Sequence, residues 1–152
     1  MKNRFDNPTV RLIGVGNLSA KKRTHRLQSK NTGWPKKVEL YQVLSPASFQ
    51  MMFREVHGDV GKLCLTDDQG IQACHAHPDW LDLCREAPLF MIDRNNQDRP
   101  ATEDNLFVLI FTADSKGNLQ IRSHSFKYKH VWAAKKRPHL LVRQAVPGRK
   151  VI

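Results

Sequence analysis

The stretch from Leu106 to Trp132, LFVLIFTADSKGNLQIRSHSFKYKHVW, constrains the fold more than any other part of the chain. Leu106 to Thr112 is almost continuously apolar. A half-exposed strand alternates apolar and polar residues, so an unbroken run predicts a strand buried on both faces. Ala113-Asp114-Ser115-Lys116-Gly117-Asn118 follows, and its residue types suit a turn: Gly and Asn accept positive φ, while Asp and Ser bond their own backbone. From Leu119 the pattern alternates. Leu119 and Ile121 fall on one face, and Gln120, Arg122, His124, Phe126 and Tyr128 on the other. An antiparallel hairpin accounts for all of this.

The second strand of that hairpin carries a row of cations and rings, flanked by Lys127 and Lys129. Single-stranded nucleic acid needs cations for its phosphates and flat rings for its bases, and a sheet face presents both in line. The row predicts a binding surface if the alternation persists. If a bulge intervenes, Phe126 and Tyr128 turn inward and leave a solvated basic strand.

Charge is distributed unevenly. Residues 1–37 hold ten Lys or Arg and one acid, residues 38–105 hold five and twelve, and residues 106–152 hold ten and one. Two basic ends therefore flank an acidic middle, within a formal net charge of +11. Concentrated positive charge favours a polyanion, because each neutralised phosphate releases counterions. Ser19 to Lys37 carries seven Lys or Arg and no acid, with Leu27 and Trp34 its only large apolar residues. So little burial cannot offset ordering entropy, which predicts a mobile arm or loop. Its candidate phosphate contacts are Lys21, Lys22, Arg23, Arg26 and Lys30. The far end, residues 129–152, reads as a basic C-terminal tail with Lys129, Lys135, Lys136 and Arg137 as further candidates. Pro138 and Pro147 exclude one continuous helix there, and His139 to Val146 is expected as a short surface element.

Between the basic ends, Pro8 to Val15 and Val38 to Leu44 read as strands. Ser45-Pro46 looks like a helix start, and Phe49, Met52, Phe53 and Val56 form one apolar stripe before Gly58. That stripe is core, or a dimer face. Lys62 to Leu65 and Ile71 to His75, around Thr66-Asp67-Asp68-Gln69-Gly70, are predicted to form a second hairpin. Pro78 to Ala87 is a short helix, Leu89 to Ile92 a strand, and Asp93 to Asn105 a surface loop.

Several motifs are incomplete. Gly14 and Gly16 lack the third glycine of a dinucleotide site. Cys64, Cys74, His75, His77 and Cys84 contain no C-x2-C pair, and cysteines are commonly buried hydrophobes, so no metal or other cofactor is expected. The acids Asp67, Asp68, Asp79, Asp82, Glu103 and Asp104 show no nuclease pattern. His75-Ala76-His77 resembles the paired-histidine strand of HUH-type single-strand nickases. The resemblance implies a divalent ion held by two imidazoles and a tyrosine nucleophile, for which Tyr128 is the candidate. VRLIGVGNL resembles the opening strand of bacterial single-stranded-DNA-binding proteins, a likeness that stops there.

The expectation is one α+β domain: a mixed or antiparallel sheet of about five to seven strands, one main and one short helix, and basic arms. Three cysteines and no apolar leader or membrane-length run predict a cytoplasmic protein. The expected function is non-catalytic binding of DNA or RNA through the arms and the hairpin face, with protein partners in an assembly. The alternatives are the metal-dependent nickase and a protein-interaction module acting through the acidic middle and the apolar helix.

Overall fold

The computed structural model describes residues 9–17, 37–93, 102–135 and 137–146. The basic arm over 19–37 lies outside them except for Lys37, as does Lys136. In chain order the elements are β1 (Val10–Asn17), β2 (Lys37–Val43), α1 (Phe49–Val56), a 3-10 turn (Val60–Leu63), α2 (Asp67–Ala76) and α3 (Pro78–Glu86). Then come β3 (Leu89–Asp93), a second 3-10 turn (Glu103–Asn105), β4 (Phe107–Ala113), β5 (Leu119–Ser125) and β6 (His139–Arg143). The strands form one six-stranded mixed sheet in the order β1-β2-β6-β3-β4-β5, and the fold is α+β. All neighbours are antiparallel except β3 and β6.

Helical layers cover both faces of the sheet. On one face Tyr41, Phe90, Val108, Ile110, Leu140 and Val142 meet the α1 stripe, Phe126 and Trp132. On the other, Leu40, Leu89, Met91, Phe111 and Leu141 meet Ala73 and Cys74 of α2 and Trp80 and Cys84 of α3. Successive residues of β3, β4 and β6 thus enter opposite cores. This is why their sequences are continuously apolar. The α1 residues Phe49, Met52, Phe53 and Val56 are all buried, each contributing roughly 1.5–3 kcal/mol. The stripe is therefore core rather than a dimer face. Glu55 at the back of α1 accepts the amides of Thr9 and Val10 and so pins the start of β1.

Three local expectations are corrected. The first concerns the start of α1, which is capped by Ser48, whose side chain accepts from the Met51 amide, rather than by Ser45. The backbone of Ala47 is held in a bridge with Trp132, through bonds of 2.8 and 3.2 Å, and the helix cannot begin before it is released. The second concerns the supposed hairpin over 62–75, which is a 3-10 turn followed by α2. Thr66 and Gln69 form a capping box: Thr66 Oγ1 accepts the Gln69 amide at 3.1 Å, and Gln69 Oε1 accepts the Thr66 amide at 2.9 Å. Two helix-starting donors are satisfied, and the Asp67-Asp68 pair sits at the positive end of the helix dipole. The predicted strand Ile71 to His75 is thus part of a helix, and the described residues hold three α-helices where one main and one short helix were expected. The third concerns His139 to Val146, which is not a surface element. Its strand β6 inserts between β2 and β3, with Leu140, Leu141 and Val142 fully buried. The C-terminal tail is therefore no free arm over 139–143.

The G-x-G of β1 serves packing. His77 and Trp80 stack at 4.0 Å and lie against the strand at Gly16. A Cβ there would stand 2.8 Å from His77 Cε1 and 2.9 Å from Trp80. Among the described residues, no helix is long and apolar enough to cross a membrane.

Candidate nucleic-acid interface

The hairpin forms as its sequence indicates. Gly117 takes φ of 85°, and Asp114 accepts the amides of Lys116 and Asn118, both at 2.9 Å. Pairing from Phe107↔Ser125 to Ala113↔Leu119 makes β5 the sheet edge. Register places Arg122 and His124 beside Ile110 and Val108, on the α1 face.

Beyond Ser125 the strand turns, with the Tyr128 amide bonded to the Ser125 carbonyl. Here the two rings of the predicted row part company. Phe126 is fully buried and packs 6.0 Å from Phe53, so it offers no face to a base and leaves the candidate surface. Tyr128 is 41% exposed. Its ring stacks on His124 at 4.3 Å and 5° from parallel, and lies 5.8 Å from His130 at 16°. His130 in turn meets the edge of Trp132 at 4.4 Å, and Trp132 stacks on core residue Phe49 at 5.4 Å. An array of flat rings thus grows outward from the core. His130 was not among the predicted residues. The signal was present, because rings recur at every second position from His124 through Phe126, Tyr128 and His130 to Trp132.

Arg122 and Lys129 are exposed and make no side-chain hydrogen bond or ion pair among the described residues. Lys127 is engaged with Asp104 at 2.7 Å; this hydrogen bond raises the Lys127 pKa and lowers that of Asp104. Glu103 is similarly held by Arg54, at 2.6 and 2.9 Å, and its pKa is depressed by that bond. Glu55, Glu103 and Asp104 of the middle segment therefore tie distant elements together. Lys135 and Arg137 lie away from the rings, at a cavity on the α3 side. Lys21, Lys22, Arg23, Arg26, Lys30 and Lys136 are outside the described residues.

The nickase constellation is not assembled. His75 is exposed on the last turn of α2, and His77 is the residue joining α2 to α3, so the two do not share a strand face. His77 stacks on Trp80 in the core opposite the one that Tyr128 borders. The cysteines divide likewise: Cys64 packs in the α1-side core, Cys74 and Cys84 in the other. The hydrogen bond to Cys84, and then burial, hold the Cys74 thiol protonated far above its ordinary range. Among the described residues, no three His, Cys, Asp or Glu side chains group closely enough to hold a metal ion.

Comparison with protein-family models, curated proteins and solved structures returns no match to this chain.

Proposed function

We propose that the protein binds single-stranded nucleic acid, DNA or RNA, on the surface formed by β5 and residues 126–132. The observation that supports this is the array of half-buried His124 and exposed Tyr128 and His130, bordered by Arg122 and Lys129, which have no partner among the described residues. Rings already aligned and anchored on Trp132 lose little freedom when a base joins the stack. The cations beside them meet the phosphates, and the two basic ends of the chain add long-range attraction. The reading is one of binding without chemistry, and His75, His77 and Tyr128 of the nickase alternative lie apart.

Fluorescence anisotropy with a labelled single-stranded oligonucleotide, across a salt series, tests the proposal. Tyr128→Ala is expected to cost roughly 1–3 kcal/mol of binding with an unchanged salt slope. Arg122→Ala and Lys129→Ala should each reduce the salt slope by about one phosphate. No binding at low salt, or full affinity in all three variants, would remove this surface from consideration.

A further inference from the structure

At the end of β2 and the start of β6, beside the C-terminus of α3, the protein forms an open cavity of about 740 Å3. It lies on the sheet face away from the ring array and is independent of the nucleic-acid reading. Ile13, Leu83 and Ala87 supply apolar wall, and Gln42, Glu86, Lys135, Arg137 and His139 supply polar groups. The remaining acid, Asp82, is taken by Arg85 at 3.2 Å. By contrast Glu86, Lys135 and Arg137 form no ion pair, with one another or with any other described residue. Opposite charges around one cavity that leave each other unpaired make room for something between them.

One further observation points to a ligand. His139 lines the cavity at only 4% exposure, and its Nδ1 is sealed without a hydrogen-bond partner. Burial lowers its pKa to about 4, so the ring is neutral and carries one proton. A buried donor without a partner is rarer and costlier than an unpaired acceptor, which assigns the proton to Nε2. The ring thus has one N–H, on the nitrogen that is not sealed and that has no hydrogen-bond partner among the described residues. Arg137 takes φ of 53°, in the left-handed region. Glycine or asparagine adopts that conformation easily, so Arg137→Asn removes the guanidinium without adding backbone strain.

We propose that this cavity binds a small organic anion bearing a hydroxyl or amine. Its oxyanion is held by Lys135, Arg137 and the His139 N–H, its donor group by Glu86, and its carbon skeleton by Ile13 and Leu83. Carboxylates and phosphate monoesters share this chemistry.

Nuclear magnetic resonance on the full-length labelled protein distinguishes the two sources, with lactate and glycerol phosphate as separate probes. Saturable shifts of the His139 imidazole signals by either probe are expected, and the stronger probe identifies the oxyanion. Arg137→Asn should weaken that binding about tenfold, the loss of one charge-assisted hydrogen bond, without lowering Tm. Lys135→Ala, at an exposed side chain, repeats the test without touching the strained backbone and decides the matter should Arg137→Asn fold poorly. Absence of saturable shifts with both probes, or native affinity in a folded variant, overturns the proposal.

Discussion

The imidazole of His124 and the phenol ring of Tyr128 lie face to face, 4.3 Å between centroids and 5° from parallel. Two residues from Tyr128 along the chain, Phe126 is fully buried beside Phe53. The two aromatic side chains should therefore fail differently. Phe126→Ala is expected to cost about 3–5 kcal/mol of stability. Tyr128→Ala should leave stability within about 1 kcal/mol, the usual range for an exposed stacking pair. Thermal melts measure both, and equal losses would place Tyr128 in the core.

Gly16 is closed in by His77 and Trp80. Gly16→Ala forces that stacked pair away from β1, at an expected cost of about 1–3 kcal/mol, each kcal/mol lowering Tm by roughly 2–4 °C. Gly58 has nothing within 4 Å of a Cβ and no positive φ. Gly58→Ala should be neutral or stabilise by up to about 1 kcal/mol through the unfolded chain. A Gly16→Ala protein as stable as the native one would show that α3 repacks freely.

Burial of His139 lowers its pKa from 6.5 to about 4. Below pH 6.5 the unfolded chain takes up a proton that the folded protein refuses until about pH 4. Stability from the neutral ring is thus complete above pH 6.5 and falls as pH drops through that window, by about 3 kcal/mol in all. Denaturant titrations from pH 7 to pH 4 should show this fall, and His139→Gln should remove most of it. An identical pH profile in the variant would assign the acid sensitivity elsewhere.

Ser48 caps α1, and Ser45 takes no part. Ser48→Ala should cost about 1 kcal/mol and Ser45→Ala close to nothing, both read by chemical denaturation. The reverse order would move the start of the helix back to Pro46.

The candidate site was half legible. Arg122 and His124 follow from alternation on a strand whose partner and turn are explicit in the sequence, whereas Tyr128 reaches His124 from the turn beyond the strand's end. Phe126 shares their parity and its amide still bonds the Leu106 carbonyl, so it keeps their face of the sheet, but there Phe53 of α1 covers it. His130 came into the array through Trp132, which a distant bridge to Ala47 holds in place. Alternation describes the direction of side chains along one strand and is silent about where the strand ends.

By itself the sequence determined the features that depend on a residue and its near neighbours. The hairpin turn at Asp114 to Asn118, the doubly buried β4, the apolar stripe of α1 and the α+β class are of this kind, because periodicity and turn chemistry act within a few residues. Tertiary structure alone decided what depends on partners far along the chain. It drew the basic C-terminal stretch into the middle of the sheet as β6, where hydrogen bonds to β2 and β3 and burial of Leu140 to Val142 outweigh its charged flanks. It brought Lys135, Arg137 and His139 to one cavity with Glu86, some fifty residues earlier. Segments that look like independent arms in one dimension become core when their backbone donors and acceptors find partners that only the folded sheet supplies.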